Sequence, residues 1–117
     1  MSVGVEWIVD AEGCDAGKLR DVDAVRAVID RLLRDLDLRV VGDGHWHVFP
    51  GEGGVTGLYL LTESHVACHT YPESGTATFN LYCCRERKNF DWDAELSRAL
   101  GAKETRVVKV PRGQRKP

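Results

Sequence analysis

The densest group of reactive side chains in this 117-residue chain runs from Leu61 to Glu73: Glu63-Ser64-His65, then Cys68-His69, then Tyr71-Pro72-Glu73, with Cys83-Cys84 following. A serine hydroxyl among imidazoles and carboxylates is a set suited to nucleophilic attack and proton transfer near neutral pH. The same side-chain types also bind metal. His45 and His47 alternate onto one strand face, and with His65, His69, Cys68 and Cys83 they offer nitrogen and sulfur ligands for zinc. Their spacings match no familiar zinc pattern, so no metal is expected. In isolation, Ser64 reads as an ordinary turn or strand-end serine.

The chain that positions these groups has the mix of a single small globular domain, residues 1–117, with 43% hydrophobic and 29% charged residues. Sixteen basic residues against 18 acidic ones give a net charge of −2, without the positive excess that a phosphate backbone requires. Nucleic acid is therefore not an expected partner. A domain this small buries a limited share of its surface, so a homodimer is expected. The N-terminus has neither a basic segment nor an unbroken apolar one, and no apolar run approaches ~18 residues. The four cysteines form no CxxC pair and read as reduced thiols, which together predict a cytoplasmic protein without membrane contact.

Val5–Val9 predicts a strand, and Gly13-Cys14-Asp15 a turn. From Asp21, the residues Val22, Val25, Val28, Ile29, Leu32, Leu33 and Leu36 recur every three or four positions, the pattern of a helix with one apolar face. Leu38–Val41 and His45–Phe49 read as strand pieces split at Gly42-Asp43-Gly44. Val55–Leu61, His65–Tyr71 and Thr76–Cys84 form a meander, its last turn at Pro72-Glu-Ser-Gly75. Arg85–Lys88 reads as a solvated loop, Asp91–Leu100 as a short helix closed by Gly101, Glu104–Val110 as a last strand and Pro111–Pro117 as a frayed tail. The order implies an α+β fold: a two-layer α/β sandwich, its antiparallel sheet carrying two helices on one face. Cys14 and Cys68 are expected to be small buried hydrophobes, and Trp7, Trp46 and Trp92 packing residues.

Glu63-Ser64-His65, His69-Thr70-Tyr71-Pro72-Glu73 and Cys84, with Gly13-Cys14-Asp15, His47-Val48-Phe49 and Gly54-Val55-Thr56-Gly57, resemble the prokaryotic S-adenosylmethionine decarboxylase family. Members of that family are α/β sandwich dimers that generate their own pyruvoyl cofactor by cutting themselves at a serine. The resemblance implies cleavage between Glu63 and Ser64 into residues 1–63 and 64–117. It gives Ser64 the role of pyruvoyl precursor and Schiff-base former, His69 that of proton acceptor in processing, Cys84 that of proton donor to the product, and Thr56 that of a processing aid. Phe49 and Tyr71 would stack on adenine and Glu73 would hold the ribose. Five residues along a strand put His69 on the opposite face from Ser64, so a turn or bulge is expected at the cut.

The function implied is S-adenosylmethionine decarboxylation for spermidine and other polyamine synthesis. Three departures bear on the substrate: Asn80 in place of the usual aspartate, Arg85 where glycine is typical, and a loop after Phe49 about one residue longer than the pattern. They leave a pyruvoyl-dependent decarboxylase of arginine or ornithine as an alternative, beside a non-processing binding or regulatory relative and the metal-binding reading.

Overall fold

The computed structural model describes residues 2–114. Six strands and three helices follow in the order β1 (Gly4–Glu12), α1 (Ala16–Leu19), α2 (Val22–Asp35), β2 (His45–Val48), β3 (Val55–Leu61), β4 (Ser64–Tyr71), β5 (Thr76–Cys83), α3 (Trp92–Leu100) and β6 (Glu104–Arg112). One sheet takes the order β2-β3-β4-β5-β1-β6, and every neighbouring pair is antiparallel.

The helices begin where their capping groups allow. Asp21 accepts from the backbone N–H of Asp23 at 3.0 Å and of Ala24 at 3.4 Å, satisfying donors that the first turn of α2 leaves open. Asp91 does the same for α3 through Ala94 N–H at 3.1 Å, and Gly101 ends that helix with φ of 71°. Val25, Val28, Ile29 and Leu32 of α2 are buried, as are Trp92, Leu96 and Leu100 of α3. They meet the inward residues of the sheet: Val5, Trp7, Val9 and Ala11 of β1, Val66 and Cys68 of β4, and Ala77, Phe79, Leu81 and Cys83 of β5. The two-layer sandwich expected from the sequence is thus formed, with the short α1 as an addition capped by Asp15.

Strand alternation sends the intervening residues to the other face, which no helix of the described residues covers. Ile8, Leu58 and Leu60 lie exposed there, beside the half-buried Thr56, His65, Ala67, His69, Thr78, Asn80 and Tyr82.

Two expectations need correction. Leu38–Val41 is not a strand: only Val40 forms a bridge, to Leu61, because Gly42 turns the chain away with φ of 73°. The segment still ties down the end of β3, through Val41 N–H to Leu60 O at 2.8 Å and Thr62 N–H to Arg39 O at 2.9 Å. The tail starts later than expected, since Pro111 and Arg112 belong to β6, and residues 115–117 lie outside the described residues.

Candidate active site

Thr62 and Glu63 alone connect β3 to β4, with Leu61 paired to Ser64, so the expected cut falls at the end of a two-residue hairpin turn. Ser64 has φ of 146°, a value that residues bearing a Cβ rarely adopt, and the Glu63–Ser64 bond therefore joins a turn to a strained residue. Its side chain meets the next residue, with Oγ 2.9 Å from His65 Nδ1. His65, for which the sequence suggested no catalytic role, also packs against Tyr82, ring centres 5.7 Å apart.

On the far side of the turn, β5 pairs Cys83 with Ser64, and Cys84 N–H donates to Glu63 O at 3.1 Å. That carbonyl is the one a Ser64 hydroxyl would attack. The two adjacent cysteines part as alternation requires: Cys83 is fully buried and Cys84 exposed. Burial pushes the Cys83 thiol up to about 11 and that of Cys68 to about 12, and it raises Cys14 as well. All three buried thiols stay protonated at neutral pH and resist electrophiles. Brief treatment of the folded chain with iodoacetamide at pH 8 is expected to alkylate Cys84 and leave the other three for modification after unfolding; peptide mapping by mass spectrometry checks it.

His69 lies elsewhere. It is held against Thr56, whose hydroxyl bonds to Nδ1 and which is its register partner on β3. Its ring also contacts Tyr71, centres 4.4 Å apart, and Phe49, centres 5.5 Å apart. Phe49 is fixed by its N–H to Gly54 O at 2.8 Å, which closes the longer loop. Glu73 is exposed in a single 3-10 turn, Pro72–Ser74, at the same end of the sheet.

The eight-residue β4 is paired in register with β3 and β5, so the five residues from Ser64 to His69 span about 17 Å. The turn expected at the cut is present, but it precedes Ser64 and does not fold His69 back. The candidate residues form two groups at opposite ends of β4. Glu63, Ser64, His65 and Cys84 occupy one, and Phe49, Thr56, His69, Tyr71 and Glu73 the other.

The zinc set is divided too, because Cys68 and Cys83 face the core whereas His45, His47, His65 and His69 face the open side. Among the described residues no three potential ligands converge on one point. Arg85 and Arg87, expected in a solvated loop, both bind the Glu63 carboxylate. A run of charges carries no signal of that in the sequence. Asn80 sits mid-sheet on the open face, opposite Ala67 and Ile8. No helix of the described residues is long and apolar enough to cross a membrane.

The family profile described as S-adenosylmethionine decarboxylase matches residues 5–113. A proenzyme of that name from Geobacillus kaustophilus is 31% identical over 116 residues, covering 97% of this chain and 90% of the relative. A second, from Halalkalibacterium halodurans, is 32% identical over 96% of this chain and 87% of its own length. The crystal structure of the adenosylmethionine decarboxylase from Aquifex aeolicus superposes with a TM-score of 0.77 at 26% identity, covering 98% of this chain and 94% of that one. Fold, motifs and near full-length similarity agree, and the chain belongs to the S-adenosylmethionine decarboxylase family, carboxy-lyases that are made as proenzymes and depend on a pyruvoyl group.

Proposed function

We propose that this chain cuts itself between Glu63 and Ser64, converts Ser64 to the pyruvoyl group and decarboxylates S-adenosylmethionine as a homodimer whose sites are each built from two copies. The observation that carries this reading is the Ser64 geometry: strained backbone at a turn, hydroxyl on His65, and the preceding carbonyl held by Cys84 N–H.

His65 accepts the hydroxyl proton as Ser64 Oγ attacks the Glu63 carbonyl carbon, and Cys84 N–H supports the charge that develops on the carbonyl oxygen. Opening of the C–N bond leaves an ester and a free amine on Ser64. A base must then take the Ser64 α-proton while the Glu63 carboxylate departs. His69 is oriented for this by Thr56, and because about 17 Å separates it from the Ser64 of its own chain, it serves the Ser64 of a second copy. The open sheet face suits such pairing, for it exposes Ile8, Leu58, Leu60, Phe49 and Tyr71, with no helix of the described residues over them. The remaining dehydroalanine takes up water and releases ammonia, giving the ketone.

The pyruvoyl group, once formed, supplies the electron sink for loss of the substrate carboxylate. The exposed Cys84 thiol, beside position 64, returns the proton to the product, and buried Cys83 takes no part. Phe49 and Tyr71 offer aromatic faces for adenine and Glu73 an acceptor for the ribose.

Arg85 bears on substrate choice. A free guanidinium in the pocket would repel a sulfonium, but this one is paired with Glu63 at 2.7 Å. The pairing removes that objection to S-adenosylmethionine. Purified cleaved protein is expected to release CO2 from carboxyl-labelled S-adenosylmethionine and none above background from labelled arginine or ornithine. Release from an amino acid alone would reassign the substrate.

A further inference from the structure

Two guanidinium groups converge on the residue that supplies the acyl side of the bond to be cut. Arg85 donates from Nε to Glu63 Oε1 at 2.7 Å and from Nη2 to Oε2 at 3.3 Å, and Arg87 Nη2 binds the same Oε2. The pairs differ in exposure: the Arg85 side chain is 67% accessible, Arg87 only 12% and Glu63 21%. The Arg87 contact is thus the one that water and salt screen least. Arg87 Nε is also buried without a hydrogen-bond partner, so the guanidinium beside Glu63 keeps unused donor capacity where an unpaired donor is costly.

Self-cleavage creates a demand for that capacity. In the elimination step the Ser64 Cα–H bond gives up its proton to the base and the Cα=Cβ double bond forms. The ester Cβ–O bond breaks, and its electron pair stays on oxygen as the new α-carboxylate of Glu63. One residue then carries two negative charges. Resting on the proposed cleavage, we infer that Arg87, assisted by Arg85, is a positioning clamp that steadies Glu63 for attack and stabilises its carboxylate as a leaving group. The clamp donates no proton; it supplies fixed positive charge and hydrogen bonds. It also ties the last residue of the first fragment to a loop of the second.

The test follows conversion of freshly synthesised chain by intact mass, with and without hydroxylamine, which cleaves an accumulated ester. Arg87→Gln is expected to slow formation of the mature second fragment about ten-fold, with the hydroxylamine-sensitive ester accumulating. Its melting temperature should stay within a few degrees of the parent. Arg87→Lys, which keeps the charge but not the planar fork, should recover part of the rate. If Arg87→Gln fails to melt cooperatively, Arg87→Lys carries the test, with an expected slowing of about three-fold and the same ester. Cleavage of Arg87→Gln at the parent rate would overturn the clamp, as would slowing without ester that Arg87→Lys does not relieve. A parent chain that never cleaves would remove the cleavage reading itself, and the clamp with it.

Discussion

Ser64→Ala is expected to remain a single 117-residue chain and to release no CO2 from S-adenosylmethionine, whereas the parent is expected to be cut and active. The expected effect is all or none, because under the proposed cleavage this one hydroxyl is both the nucleophile that opens the Glu63–Ser64 bond and the leaving position that gives the ketone. No neighbour can substitute: Thr62 lies before the bond, and Cys83 points into the core. The variant should fold, since alanine removes only an Oγ that bonds to His65 on the open face. The strained φ of 146° remains whichever of the two residues occupies the position. Circular dichroism and melting alongside intact mass separate a failed reaction from a failed fold.

The second large effect concerns which chain supplies the base. His69→Gln alone is expected to slow processing by about a hundred-fold or more, with the ester accumulating because the α-proton is not removed. Co-expression of Ser64→Ala chains with His69→Gln chains, each carrying a different tag, should restore cleavage in the mixed dimer. Only the His69→Gln chain should be cut, since it brings an intact Ser64 and meets the intact His69 of its companion. A base acting within its own chain predicts no cleavage of either. The distinction is sharp because the strand separation of about 17 Å exceeds any side-chain reach.

Much of this arrangement was legible in the sequence. Asp21 with its three-and-four apolar spacing marked α2, Asp91 and Gly101 bounded α3, and the Pro72–Gly75 turn with alternating strands defined the meander. The grouping of Glu63, Ser64 and Cys84 came with the family resemblance, and the β4–β5 ladder that pairs Ser64 with Cys83 is its physical basis. The separation of His69 from Ser64 was not legible, because the turn expected at the cut precedes Ser64. Alternation gives the face of each side chain, but five residues of extended chain also impose a length, and β4 runs in register from Ser64 without folding back. The Arg87 contact leaves no local signal: composition says solvent for Arg85–Lys88, and only the return of β5 to the β3–β4 turn places it against Glu63. Leu38–Val41 has strand composition but lies between Asp37, with φ of 54°, and Gly42, so a single bridge is all that forms.

The topology also explains how a cut chain stays assembled. The first fragment would hold β1, β2 and β3 and the second β4, β5 and β6, yet the order β2-β3-β4-β5-β1-β6 places β1 between two strands of the second fragment. The β3–β4, β5–β1 and β1–β6 ladders would all join the fragments, so breaking one peptide bond in a turn leaves the sheet intact.

The central claim, that Ser64 becomes the cofactor, is tested most directly by the intact mass of the purified parent chain under denaturing conditions, before and after reaction with a ketone-selective hydrazide. The account predicts two species, residues 1–63 and a second fragment beginning at position 64 that resists Edman degradation and gains one hydrazide. A single uncut chain of 117 residues with no hydrazide adduct would contradict it.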